Sequence, residues 1–93
     1  MIANFRDGDT ELLWKAGKSH RIPANLRRVA ARKLMILNAA IAIENLRVPP
    51  GDRLEELKGD RKGQYSIRVN SQFRICFVWR DGNAYDVEIV DYH

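Results

Sequence analysis

The chain predicts an α+β fold in which N-terminal helices pack on one face of a small antiparallel sheet. Apolar residues recur at helical spacing after Pro23. Apolar and polar residues then alternate from Gln64 onward, and turn-forming residues separate the alternating runs. With 93 residues and 45% apolar composition the chain is expected to form one domain, residues 1–93, around a single modest core. No internal repeat, low-complexity tract or long linker divides it.

At the start, Ile2-Ala3-Asn4-Phe5 alternates and suits a strand that joins the edge of a later sheet. Asp9 or Thr10 can cap a short helix through Leu12, Leu13 and Trp14, which Gly17 ends in the left-handed conformation open to glycine. After a loop over residues 18–22, Pro23 suits the first turn of a longer helix. Leu26, Val29, Ala30, Leu34, Leu37 and Ile41 form its apolar stripe, which buries against one sheet face. Arg28 and Arg32, four apart, project away from that stripe with Arg27 beside them. They suit an ordinary solvated helix surface first, since helix exteriors are ordinarily charged, and contact with RNA backbone or an acidic partner second. A further helical turn around Ile43 to Leu46 ends before Val48, because Pro49-Pro50 forbids continuation, and Pro50-Gly51-Asp52 reads as a tight loop.

The run from Arg53 to Gly63 alternates in charge, carries two glycines and is expected to enter the sheet as a loop. Tyr65, Ile67 and Val69 then alternate with Ser66 and Arg68, and Phe73, Ile75, Phe77 and Trp79 with Arg74, Cys76 and Val78. Asn70-Ser71-Gln72 has hairpin-turn length, so Arg68 and Arg74 should lie close together across it, both off the core face. Two guanidiniums placed so can grip one phosphate. Arg80-Asp81-Gly82-Asn83 supplies a second turn, and residues 84–91 complete a three-stranded meander with Val87 and Ile89 inward. Strict alternation carries Asp91 and His93 inward and Tyr92 outward, unless a bulge or strand end after Val90 releases them.

The net charge is +4, unevenly placed: residues 1–50 hold nine Lys/Arg and four Asp/Glu, residues 51–93 seven and eight. A basic first half suits a polyanion or an acidic partner. No apolar run approaches a membrane span and the first residues lack a secretory pattern, so no membrane association and a cytoplasmic location are expected. Cys76 is the only cysteine and sits within a strand, where a core residue is expected, with neither a disulfide nor a cysteine metal cluster. There is no phosphate-binding glycine loop, nucleophile-elbow serine or histidine pair at helical spacing. His20 lies in an early loop and His93 is the last residue, which disfavours metal binding and a two-histidine ribonuclease; no cofactor is expected.

What remains is a polar set on and beside the sheet: Glu55, Lys58, Arg61, Arg68, Arg74, Asp91, Tyr92 and His93. It suits phosphodiester cleavage in RNA, which needs a base for the ribose 2′-OH, cations for the phosphorane charge and an acid for the departing 5′-oxygen. Arg74 is the first candidate cation and Arg68 the second, because a planar guanidinium matches phosphate oxygens bidentately and stays charged. Glu55 and Lys58 both stand as candidates for the base. Tyr92 suits stacking on a base, proton relay or ordinary packing.

The order Leu54-x-x-Leu57-Lys58-Gly59-Asp60-Arg61-x-Gly63, then Tyr65-Ser66-Ile67-Arg68-Val69-Asn70, Phe73-Arg74-Ile75-Cys76-Phe77 and Val87-Glu88-Ile89-Val90-Asp91-Tyr92-His93, resembles the HigB family of the RelE/ParE toxin superfamily. The likeness spans essentially the whole chain. It implies a RelE-like, microbial-ribonuclease-like fold and a ribosome-dependent endonuclease that cuts mRNA in the A site without metal. It also implies a HigA-like helix-turn-helix antitoxin, through which alone operator DNA is reached. Lys58, Arg74, Asp91, Tyr92 and His93 match the family's functional positions, and Glu55 stands where one branch carries histidine. Two other readings compete: a module that occupies the ribosome or RNA without cutting, and a ParE-like gyrase inhibitor, against which the terminal Asp91-Tyr92-His93 argues.

Overall fold

The computed structural model describes residues 1–91, and in it two helices cover one face of a four-stranded antiparallel sheet. Helix α1, Gly8–Ala16, is capped by Asp7 rather than Asp9 or Thr10. The Asp7 carboxylate accepts from the Thr10 amide at 3.1 Å and the Thr10 hydroxyl at 2.7 Å, the spacing at which a cap reaches the third helical amide. Gly17 ends the helix as expected, at φ 70° with its amide on the Leu13 carbonyl. Asp9 has a different task. It accepts from the Ser19 hydroxyl and the His20 amide, each at 2.6 Å, and stands 3.5 Å from Arg21, so it ties α1 to the following loop.

Burial pushes the Asp9 carboxyl upward. The His20 amide, the Ser19 hydroxyl, and the amide and charge of Arg21 together outweigh burial and hold it below the ordinary value. A depressed carboxylate stabilises the fold above the ordinary carboxylate pKa, and that contribution is lost as pH falls through the lower folded-state value. Asp9→Asn is therefore expected to lower stability at neutral pH and to flatten its dependence on pH below about 4. Urea melts from pH 2 to 7 test this, and parallel curves for the two proteins would contradict it.

Helix α2, Ala24–Ala39, follows Pro23 and buries Ala30, Leu34 and Leu37, with Leu26, Val29 and Ile36 half-buried beside them. Ile41 does not extend the stripe. The chain turns extended at Ala40, two residues after Asn38, and leaves Ile41 83% exposed. Arg27 also departs from expectation: it folds back to donate to the Ile22 and Ser19 carbonyls at 2.9 and 2.8 Å, and only Arg28 and Arg32 point outward. Two 3-10 turns follow, Ile43–Arg47 with Leu46 buried and Pro50–Asp52 with Asp52 buried.

Strands β1, Glu55–Glu56, β2, Gln64–Arg68, β3, Phe73–Arg80, and β4, Asn83–Asp91, lie side by side in sequence order. β1 was expected to be loop. Its two residues pair with Ser66 and Tyr65, so the meander gains a fourth strand too short for periodicity to reveal. The Asn70 carboxamide accepts from the Gln72 and Phe73 amides and shapes the first turn. At the second, Asp81 and Gly82 have φ of 53° and 77°, the left-handed pair that lets a two-residue hairpin follow the strand twist.

β4 carries a bulge at Asp86. The register with β3 shifts between Cys76 and Val78, and Asp86 takes φ 52°. Asn4 fixes the extra residue by accepting from the Asp86 amide at 2.6 Å, while the segment through Ile2 and Phe5 bridges Ala84 and Val87 in parallel. The shift puts Ala84, Val87 and Ile89 together on the core side. Farther along the same edge, the Thr10 hydroxyl accepts from the Ile89 amide and Arg21 donates to the Ile89 carbonyl, so little edge remains open to another strand.

The core forms where α1 and α2 meet the sheet, with Leu13, Leu34, Leu37, Ile67, Ile75, Phe77, Val87 and Ile89 almost completely buried. Each such side chain contributes about 1.5–3 kcal/mol on leaving water. The opposite face is not open as simple alternation predicts, because Ser66, Arg74 and Cys76 are buried there too. Among the described residues, no helix is long and apolar enough to cross a membrane.

Candidate functional site

Arg74 lies on the sheet face opposite the helices, and it is only 9% exposed. Its Nε donates to the Ser66 hydroxyl at 2.8 Å, and its Nη2 donates to the Arg53 carbonyl at 2.6 Å and more weakly to the Ser66 carbonyl at 3.4 Å. These bonds fix the plane of the guanidinium. Nη1 has no partner among the described residues, which leaves one edge of the fork for an incoming anion.

Arg68 is the direct cross-strand partner of Arg74, as the turn length predicts. Directly opposed like charges repel, so this pairing persists at a cost that a bound anion would remove. The two arginines, with Arg53, Asn70 and Ser71, line a cavity of about 280 Å³. Glu55 stands at the rim, with Oε2 3.9 Å from Arg74 Nη2 and its side chain 53% exposed. The distance and exposure leave the carboxylate able to turn toward a substrate hydroxyl. An exposed pair at that separation contributes little to stability.

Arg53 carries no signal in the sequence reading, although its place is distinctive. It closes the Pro50–Asp52 turn at φ 48° and ψ 63°, left-handed backbone that costs a residue with a Cβ about 1–2 kcal/mol. Beneath it, Lys33 of α2 donates to the Asp52 carboxylate, which is 1% exposed. Asp52 Oδ2 is buried without a hydrogen-bond partner among the described residues. The sequence of contacts from α2 through Asp52 to Arg53 thus sets the carbonyl that holds Arg74. Nothing in Pro-Pro-Gly-Asp-Arg announces a left-handed arginine, since glycine is the residue by which that conformation is normally read.

Other expected site residues are placed apart. Arg61 donates to Glu88 at 2.8 Å and to Gln64 at 3.2 Å, and Glu88 also stands 3.8 Å from Arg6. These contacts tie Arg61 to β2 and β4. Lys58, exposed, lines a neighbouring depression of about 390 Å³ with Glu56, Leu57, Gly59 and Lys62. Asp91 pairs with Phe73 and so shares the core-side parity, as strict alternation predicts; its carboxylate accepts from the Gln72 side chain at 3.0 Å. The structure does not bring it into the lining of the arginine cavity. Arg28 and Arg32 are exposed on α2, also outside that lining. Tyr92 and His93 lie outside the described residues.

Cys76 is fully buried beside these groups. Burial raises its thiol pKa and Glu88 adds to the rise, while Arg61 and Arg74 oppose it. The thiol stays protonated near neutral pH and behaves as a small packed side chain, in keeping with the structural role expected of it.

Comparison with known proteins places this arrangement in context. Residues 3–93 match the family described as the RelE-like toxin of type II toxin-antitoxin system HigB. The chain is 47% identical over 85 residues to Toxin HigB-1 of Vibrio cholerae serotype O1, with 90% of each chain covered. It is 35% identical over 94 residues to Endoribonuclease HigB of Proteus vulgaris, with both chains covered in full. An uncharacterized protein of Haemophilus influenzae is 39% identical over 82 residues, 87% of this chain and 81% of its own.

Proposed function

Because the chain belongs to the HigB-like family of RelE-like type II toxins, we propose that it is an endoribonuclease, a single toxin domain that cuts mRNA in the ribosomal A site and so arrests translation. The observation that carries the reading is the cavity that Arg53, Arg68 and Arg74 line together, with Glu55 3.9 Å from Arg74.

The reaction is an attack of the ribose 2′-oxygen on the adjacent phosphorus. The 2′-hydroxyl proton passes to the base, the P–O5′ bond breaks, the 5′-oxygen takes a proton from the acid, and a 2′,3′-cyclic phosphate remains. Arg74 and Arg68 hold the two non-bridging oxygens as charge builds on them, which is where fixed guanidiniums lower the barrier most. Glu55 acts as the base from the cavity rim, with Lys58 across the neighbouring depression as the alternative. The carboxy-terminal Asp91, Tyr92 and His93 supply the acid and a stacking surface. Residues of this chain alone fill every role, so no metal is needed.

A site with so few fixed groups needs its substrate held in attack geometry, and the ribosome provides that. Arg28 and Arg32 add contacts to RNA backbone. As a toxin-antitoxin family member the chain has an antitoxin partner; a HigA-like helix-turn-helix protein fits, and operator DNA is met only through it. The protein acts in the cytoplasm, where translated mRNA is found.

Primer extension on mRNA translated by purified ribosomes tests the reading. New ends within the A-site codon, bearing a 2′,3′-cyclic phosphate, are expected. Arrest without new ends would replace the nuclease with a non-catalytic ribosome binder, and efficient cutting of naked RNA would remove the dependence on the ribosome.

A further inference from the structure

We infer that the Arg53 side chain binds a second backbone phosphate, the one adjoining the phosphate that Arg68 and Arg74 hold. The inference rests on the nuclease reading and adds a residue to the site. Three guanidiniums line one cavity of about 280 Å³, and among the described residues no carboxylate lines it with them. Glu55, outside that lining, stands 3.9 Å from Arg74 with its side chain half exposed. One phosphodiester carries a single negative charge and leaves this concentration of positive charge unbalanced. Two consecutive phosphodiesters of a single strand match it better, and an RNA chain presents them in that form.

The backbone supports the assignment. A left-handed φ of 48° suits glycine, yet arginine occupies the position. Residues in such conformations gather where the surrounding structure imposes them for function. Here that structure is visible: Asp52, the preceding residue, is anchored in the interior by Lys33, and the Arg53 carbonyl accepts the 2.6 Å bond from Arg74. The backbone of Arg53 thus orients Arg74 while its side chain remains exposed at the cavity. One residue couples the grip on the scissile phosphate to the grip on its neighbour.

Arg53→Gly isolates the side chain, because glycine accepts the left-handed backbone and retains the carbonyl that Arg74 needs. Steady-state cleavage on ribosomes programmed with a defined A-site codon should show kcat/KM falling about ten-fold, most of it in KM, with Arg53→Lys recovering part of the loss. The variant's dependence of log KM on log salt should be shallower by about 0.7, the share of one single-strand phosphate contact. Its thermal melt should match or exceed that of the native chain. An unchanged KM and salt slope would overturn the inference while leaving the nuclease reading intact, and so would a loss confined to kcat. A native chain that produces no cut under the same conditions would overturn both.

Discussion

Arg74→Ala is expected to abolish RNA cleavage, with a loss in single-turnover rate of at least about 10²–10³, the usual effect of deleting one preorganised donor to a developing oxyanion. It is also expected to destabilise the fold. The side chain serves the Ser66 hydroxyl and the Arg53 carbonyl as well as the cavity. Truncation leaves those acceptors on a buried face, at about 1–3 kcal/mol for each group that water fails to reach. The alanine variant alone therefore confounds chemistry with folding, and Arg74→Lys separates them. An ammonium keeps the charge but lacks the planar fork, so one nitrogen must choose among Ser66, Arg53 and the phosphate. Lysine should restore much of the thermal stability and little of the rate. Cleavage by a folded alanine variant at the native rate would remove Arg74 from the mechanism and leave it as a structural strut.

How much of this was legible in the residues depends on the range of the interaction. Hairpin arithmetic placed Arg68 opposite Arg74, because turn length and period-two alternation are local and the registry follows from them. Local signals also located Gly17, the Asp81-Gly82 turn and the buried face of α2. The reading failed where a distant partner decided the outcome. Asp9 looks like a cap until the Ser19 hydroxyl and His20 amide are seen to claim it. Asp86 looks like an ordinary strand residue, yet Asn4, far away in sequence, selects it as the bulge. Glu88, 27 residues on, pairs with Arg61, a contact that the charged run from Arg53 to Gly63 does not announce. Burial of Arg74 follows from the returning segment around Arg53, which covers a sheet face that alternation alone assigns to solvent.

The Lys33–Asp52 pair gives the largest expected effect on stability. Lys33→Met leaves the Asp52 carboxylate, 1% exposed, without its cation, and breaking a buried pair from one side costs about 3–5 kcal/mol. Against a total of about 5–15 kcal/mol for a typical domain, such a loss brings the protein close to unfolding at ordinary temperatures. Replacing both partners, Lys33→Met with Asp52→Leu, should recover most of it, since apolar residues incur no desolvation penalty and Asp52 Oδ2 has no hydrogen-bond partner among the described residues to lose. Stability and activity should then part. With the Pro50–Asp52 turn no longer pinned to α2, the Arg53 carbonyl is free to drift from Arg74, and misplacement of a reacting group by about 1 Å can cost 100-fold in rate. Urea denaturation alongside single-turnover cleavage distinguishes the outcomes. A double variant that is both stable and fully active would show that the pair serves the fold alone, and a single Lys33→Met variant as stable as the native chain would mean that water reaches Asp52 and that the turn is held by something else.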